Sequence, residues 1–581
     1  MYKNVGNVPP SPTLDGIPFM SSPLPATTVD GLPLDYYRTN FLELLQYVAE
    51  QYDDLLLESE RLFYQKFVAL SFDGQKLYTR LISRKGPLFR QHKLHYPEIQ
   101  NLHQAAEELQ QVGLLHINPT LPLESLLPLF TKPELLQSFG IPSWKKLSRG
   151  DLEQTVLDSE IPDKEQRIVG ETVIYEVLGQ EQVQIFKLCF FGNLHQDLTE
   201  WVLRDIGLFR YETYTIDADT RAFTSREQID RYIQYYGLLE HYEEVMESTP
   251  EVIDSFLQLV PVCDRLEDRV LFRRLDRLRF HLARQLERLN DWDTALPHYR
   301  KCYNPPARER IARILIKQGH IEDGLDVCRS MLETPRNEAE QNLARDFGYR
   351  TAKKHGIQWE APKKYNPPTQ TVALPPWDDC VEMAAAQYLA QRGPCFYVEN
   401  ILFNGLLGLT IWDILYAPLR GAFFHPFQRS PNGFRSPDFL EQRDALFQQR
   451  WKELTTSEAL RERVLQTYAS KKGRINPLVA WEGLSEELLE LALERIPLQH
   501  CLAVFHRILA DLKENRTGFA DLVVFPLAGG YELVEVKGPG DRLQKNQRRW
   551  LQFFSQHSIP HQVLHIEVSD EEAGETLLLP L

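Results

Sequence analysis

The 581-residue chain predicts a multidomain, mainly α protein that ends in an α/β domain with a mixed sheet. Three observations carry this. Before residue 360, apolar residues recur at helical spacing, as in FLELLQYVAEQYDDLLLESERLFYQKFVAL. Two segments 29 residues apart repeat the same small and large positions. Near the C-terminus the period drops to two, and strand, glycine turn, strand, helix and strand follow one another.

Residues 1–33 are rich in Pro, Ser, Thr and Gly and are expected to form a flexible tail. Residues 34–220 form a helical region suited to DNA binding. Its first part combines helices, a basic segment and a short apolar strand, the parts of a winged helix. In the basic segment Arg80, Arg84, Lys85, Arg90 and Lys93 alternate with Tyr78, Phe89 and Tyr96, a composition that suits phosphate contact, with Arg84 and Lys85 the leading candidates. An ordinary helical domain with a solvated face fits the same residues. Residues 131–160 read as two short helices about a turn that carries Lys145, Lys146 and Arg149.

Residues 221–365 read as TPR-like helical hairpins. The shift of 29 aligns Ala283 with Ala312, Leu286 with Leu315, Ala295 with Gly324 and Tyr299 with Cys328, so small residues meet large ones between stacked helices. Within the array Arg265, Arg269, Arg273 and Arg277 fall four apart and form one helical row. Arg273 and Arg277 are candidate DNA contacts. Asp264, Glu267, Asp268, Asp276 and Glu287 interleave with the row, so an ion-paired solvent face competes with a phosphate-binding ridge.

Residues 366–470 comprise Pro-rich linkers and an apolar helical segment at 401–419. Asn404, Gly405, Gly408 and Asp413 interrupt its apolar run and Pro418 ends it, which favours a buried helix over a membrane span.

Composition bounds the partners. Net charge is −16, which argues against a protein that coats nucleic acid nonspecifically and leaves room for local basic grooves. Seven Cys lie scattered without a CxxC pair, which suits a reducing compartment. The N-terminal stretch has no apolar signal core, so a cytoplasmic location is expected, with nucleoid association if the source is bacterial.

Residues 471–581 hold the most informative stretch. Leu522–Phe525 and Leu533–Val536 are apolar and β-prone, and Gly529-Gly530 turns the chain between them. Alternation along a strand puts Glu535 and Lys537 on one face and Val536 on the other. Asp521 lies on the neighbouring strand and converges on the same spot. Two carboxylates with the Val536 backbone carbonyl suit a hard cation, Mg²⁺ or Mn²⁺. Such a cation with Lys537 is what phosphodiester hydrolysis needs. Gly538-Pro539-Gly540-Asp541 then breaks the strand and is expected to cap a helix at Arg542, with Arg542 and Gln547 facing DNA. His561–Val568 reads as a further strand.

On these residues the chain resembles the PD-(D/E)xK nucleases, and more closely their VRR-NUC branch, whose signature LVEVKGPGDRLQKNQ spans Leu533–Gln547. Ala520 stands where the branch usually has Pro before the metal Asp. HRILADLKEN, RTGFADLVVF and the upstream YVENILFNGLLGLTIWDILYAP extend the resemblance to the Fanconi-associated nuclease family, over most of residues 35–570. The resemblance implies that Glu399 joins Asp521, Glu535 and Val536 at the metal, and that residues 131–160 are a SAP-type pair touching DNA through Lys145, Lys146 and Arg149. It implies 5′-flap endonuclease and 5′-to-3′ exonuclease activity on branched, flapped or nicked DNA, in interstrand-crosslink repair. The Cys/His cluster of the vertebrate ubiquitin-binding zinc finger is absent, which suits a bacterial-type member, monomeric in solution, with a dimer on DNA left open. A dimeric Holliday-junction resolvase and a non-enzymatic TPR-type scaffold are the competing readings.

Overall fold

The computed structural model describes residues 35–196, 209–362, 365–378 and 380–569. The tail expected over 1–33 lies outside them. The chain forms two compact units: one runs to Phe209 and includes Ile216–Arg231, the other holds Arg210–Thr215 and everything from Tyr232. The division expected between residues 220 and 221 therefore falls about ten residues early, because the chain crosses between units more than once.

In the first unit, helices Tyr36–Tyr52, Glu58–Ala69, Phe72–Ile82 and Leu102–Gln111 accompany a three-stranded antiparallel sheet. Its strands are β1 (Leu88–Arg90), β2 (Leu115–Ile117) and β3 (Ile174–Val177), and β3 is central. Helix faces bury Phe41, Leu44, Val48, Phe67, Leu77 and Tyr78. The basic segment divides once folded. Arg84 and Lys85 are exposed, whereas Arg90 is only 5 % exposed and donates to Glu134 Oε1 at 2.9 Å. Arg90 is thus a buried structural cation and not a phosphate contact.

Residues 131–160 form helices Lys132–Phe139 and Arg149–Asp158 about a 3₁₀ turn, closed over Leu135, Phe139, Leu152, Val156 and Ile168. Lys145 and Lys146 are exposed. The Arg149 guanidinium donates to the carbonyls of Phe130 and Leu127, both at 2.7 Å, and to Glu153 at 2.8 Å. These bonds fasten the helix to the preceding turn.

In the second unit, helices Arg269–Arg288, Trp292–Lys301, Ala307–Lys317, Ile321–Glu333 and Glu338–His355 pack each on the next, and the aligned positions meet in their cores. Ala283, Ala312, Tyr299 and Cys328 have no exposed surface. At Gly324 an added Cβ would stand 2.5 Å from Ile316 Cγ1, so the helices approach closer than any side chain allows. Three members of the arginine row, Arg265, Arg269 and Arg273, pair with acids on helix Asp438–Glu453. Arg269 reaches Asp438 at 3.1 Å and Glu441 at 2.6 Å, Arg265 also pairs with Glu441, and Arg273 pairs with Asp438. Arg273 thus helps to hold two helices together.

The unit's sheet has five strands in the order β4 (Thr369–Leu374), β8 (His561–Val568), β7 (Glu532–Lys537), β6 (Leu522–Val524), β5 (Cys395–Tyr397). β4–β8 and β7–β8 are parallel and the other pairs antiparallel, a mixed sheet. Two expectations change here. The Pro-rich linker after residue 361 contains edge strand β4, and β4 and β5 bring residues 369–397 into the sheet, so the boundary at 470/471 falls inside this domain. Helix Val381–Leu389 packs Ala385 and Leu389 against Val534, Val536, Leu522 and Leu564. Helix Leu402–Thr410 is buried along its whole length, as its composition predicts. Among the described residues no helix is long and apolar enough to cross a membrane, and all seven cysteines are free.

Candidate active site

β6 and β7 pair antiparallel with Leu522 opposite Val534, so Asp521, one residue earlier, comes opposite Glu535. Alternation does the rest. Val534 and Val536 enter the apolar core on one face, leaving Glu535 and Lys537 together on the other. Asp521 Oδ2 accepts the Val536 N–H at 2.8 Å, which locks the two strands in register at this point. Its own carbonyl accepts Val398 N–H at 2.8 Å, which brings the end of β5 alongside. Glu399 follows in the turn between β5 and helix Leu402–Thr410.

The group is deeply placed. Asp521, Glu535 and Lys537 are 6 %, 1 % and 8 % exposed. Lys537 Nζ stands 2.7 Å from Glu535 Oε1, close enough to balance its charge but without the alignment of a hydrogen bond, so this buried oxygen keeps unused acceptor capacity. Burial and the charge of Asp521 push the Glu535 carboxyl up to about 8 against the pull of Lys537. Burial also raises Asp521, to about 6, aided by Glu399 and Glu382 and opposed by the Val536 N–H and Lys537. Buried carboxylates thus outnumber the one ammonium among them, an excess of negative charge that a divalent cation would neutralise.

Glu382 was not singled out from sequence. It lies in the first turn of helix Val381–Leu389 and adds to the negative field at Asp521. Nothing local marks it, since it is 139 residues before Asp521 and its helix reads as an ordinary Ala-rich segment. Glu399 accepts from Tyr397 Oη at 2.6 Å and from Asn400 Nδ2 at 3.1 Å. Among the described residues no three His, Cys, Asp or Glu side chains stand at ligand spacing.

The segment after Lys537 differs from expectation. Asp541 Oδ2 accepts the Gly538 N–H at 3.0 Å and closes a turn, and the helix begins at Lys545, not Arg542. Gln547 Oε1 accepts the Gln544 N–H at 2.8 Å in a capping box, a structural task. Arg542 is exposed.

A groove of about 1090 Å³ is lined by Arg313, Arg345, Arg350, Lys513, Lys545 and Arg548, with Thr517 and Gln544 on its wall. Thr517 precedes β6 and Gln544 follows β7 in the chain, and none of Asp521, Glu535 and Lys537 lines the groove. A smaller cavity of about 230 Å³ is lined by Arg277, Arg336, Arg435 and Lys513 together with Asp276 and Asp511. These two cavities concentrate positive charge in a chain of net charge −16, and sequence spacing alone could not gather residues from such distant segments.

The VRR-NUC domain matches residues 455–567 and the FAN1 HTH domain residues 35–116. A Fanconi-associated nuclease 1 homolog of Pseudomonas aeruginosa is 35 % identical over 91 % of this chain and 95 % of its own length. The chain belongs to the Fanconi-associated nuclease family. The relatives from Arabidopsis thaliana and Homo sapiens are 25 % and 24 % identical, and this chain spans 65 % and 62 % of their lengths. A crystal structure of paFAN1 bound to 2-nt 5′-flap DNA with a gap superposes with a TM-score of 0.78 at 34 % identity, over 93 % of this chain and all of that one. A second, with a 1-nt flap, gives 0.76. The protein is a structure-selective DNA nuclease that depends on a divalent metal, which removes the scaffold reading. Its donor set fits such a cation: buried carboxylates with raised pKa values and an oxygen lacking a hydrogen bond.

Proposed function

We propose that this nuclease cuts DNA at 5′ flaps and nicked or branched junctions, as endonuclease and as 5′-to-3′ exonuclease, in the repair of interstrand crosslinks. The observation that carries the reading is the buried cluster of Asp521, Glu535 and Lys537 with its excess of negative charge. Asp521, Glu535, the Val536 carbonyl and Glu399 would hold Mg²⁺ or Mn²⁺. When bound, the cation polarises the phosphate and acidifies a water. Lys537, held against Glu535, supports the attacking oxygen and the charge that develops on the phosphate. Asp521, fixed through the Val536 N–H, keeps its carboxylate aimed at the same point. The groove lined by Arg313, Arg350 and Lys513 draws in the phosphate chain, and Lys145 and Lys146 grip the duplex elsewhere. The relatives solved with 5′-flap DNA support this choice of substrate.

The test is cleavage of end-labelled 5′-flap, 3′-flap, four-way-junction and plain duplex DNA by the full chain, with Mg²⁺, Mn²⁺ or EDTA. Preferential metal-dependent cutting of the 5′ flap is expected. Symmetric cutting of the four-way junction by a dimer would move the assignment to a resolvase, and equal cutting of all substrates would overturn the flap preference.

A further inference from the structure

We infer that Tyr397 and Asn400 are positioning residues that hold the Glu399 carboxylate for metal binding and tie it to the strand carrying Asp521. The inference rests on the reading of Glu399 as a ligand.

The geometry is specific. Tyr397 Oη donates to Glu399 Oε2 at 2.6 Å and Asn400 Nδ2 to Oε1 at 3.1 Å, so one donor holds each oxygen. Tyr397 is paired with Leu522 in the β5–β6 ladder, next to Asp521. Tyr397 is also 43 % exposed, so it contributes little to the core.

Asn400 uses both ends of its amide. While Nδ2 donates to Glu399, Oδ1 accepts the Gly518 N–H at 3.0 Å. Its carbonyl accepts from Asn404 Nδ2, which also donates to the Arg516 carbonyl, both at 2.8 Å. The Glu399 turn is thereby fastened at two points to residues 516–518, which lead directly into Asp521. Asn400 sits at φ +56°, a left-handed conformation that Asn tolerates better than most residues. A side chain that donates, accepts and adopts this φ is needed here, and Asn meets all three requirements.

Partners of a ligating carboxylate typically contribute about 10–100-fold in metal affinity. The experiment measures Mn²⁺ binding to the full chain by titration calorimetry, beside melting in EDTA, for wild type, Tyr397→Phe, Asn400→Asp and Glu399→Gln. Asn400→Asp keeps the acceptor for Gly518 and replaces the donor to Glu399 with a like charge. The expected result is Mn²⁺ affinity lowered roughly 10-fold or more in Tyr397→Phe and Asn400→Asp, with melting in EDTA unchanged for Tyr397→Phe. The half-saturating Mn²⁺ concentration for cleavage should shift in parallel. If Glu399→Gln weakens Mn²⁺ binding while the other two bind as wild type, the positioning role is overturned and the ligand reading stands. If Glu399→Gln binds as wild type, the ligand reading fails. Tighter Mn²⁺ binding by Tyr397→Phe would also overturn the inference, since it would mean that the hydroxyl restrains Glu399 away from the metal.

Discussion

Replacing Glu535 with Gln should abolish cleavage and yet stabilise the metal-free protein at alkaline pH. Glu535 is 1 % exposed, and its carboxyl is pushed up to about 8 by burial and by Asp521. The unfolded chain holds the same proton with an ordinary pKa of about 4.3. The folded state therefore binds that proton more tightly, so this group's contribution to stability is fully present below its unfolded pKa of about 4.3 and is lost as pH rises through 8. At one pKa unit per 1.36 kcal/mol, the loss at pH 8 approaches a ceiling of roughly 4–5 kcal/mol. Gln removes that loss but leaves Lys537 with Asp521 as its close counter-charge, which returns part of it. The net gain should be on the order of 2 kcal/mol, a few degrees in Tm. The assay is calorimetric melting of both proteins in EDTA from pH 5 to pH 8.5. Tm of the variant should exceed wild type at pH 8, with the gap closing toward pH 5. Added Mn²⁺ should reverse the order, since at 100 times Kd a cation that binds only the folded wild type adds about 2.7 kcal/mol. A variant less stable than wild type at pH 8 in EDTA would sink this prediction, because the carboxylate would then serve a structural ion pair.

Four further outcomes are expected. Asp276 is 2 % exposed and accepts the N–H groups of Tyr303 and Asn304 and the Asn304 amide at 2.7–2.9 Å, so Asp276→Ala should cost about 3 kcal/mol in denaturant unfolding. Gly324→Val, which forces a side chain against Ile316, should cost about 1–3 kcal/mol, and wild-type stability would count against the close helix packing. Lys145→Ala with Lys146→Ala should weaken duplex binding and flatten the salt dependence of log K by roughly 0.9 for each phosphate left without its lysine, as read by fluorescence anisotropy. Arg149→Ala should instead lower stability, because its guanidinium is spent on backbone carbonyls.

The strands of the active site were legible because their signal is local. Alternation from Leu533 to Lys537 names the face of each side chain, and the paired glycines mark the turn. The buried helix after Glu399 was legible for the same reason, from an apolar run broken only by small or polar residues. What the sequence hid depends on pairing at a distance. β4 is a largely exposed edge strand of Thr, Gln, Val and Ala among prolines, and its identity comes from pairing with β8 nearly two hundred residues away. β3 is central in its sheet only through its distant partners β1 and β2. The arginine row showed its spacing, but Asp438 and Glu441, which neutralise three of its members, lie more than 160 residues further on. Glu382 was missed because helix position alone does not reveal which charge a helix end will face.

The most direct test of the catalytic assignment is anomalous diffraction from crystals of the full chain soaked in Mn²⁺. An anomalous peak is expected within bonding distance of the Asp521 and Glu535 carboxylates, and it should vanish in Asp521→Ala. A fully occupied Mn²⁺ bound elsewhere, with these two carboxylates unliganded, would contradict the assignment.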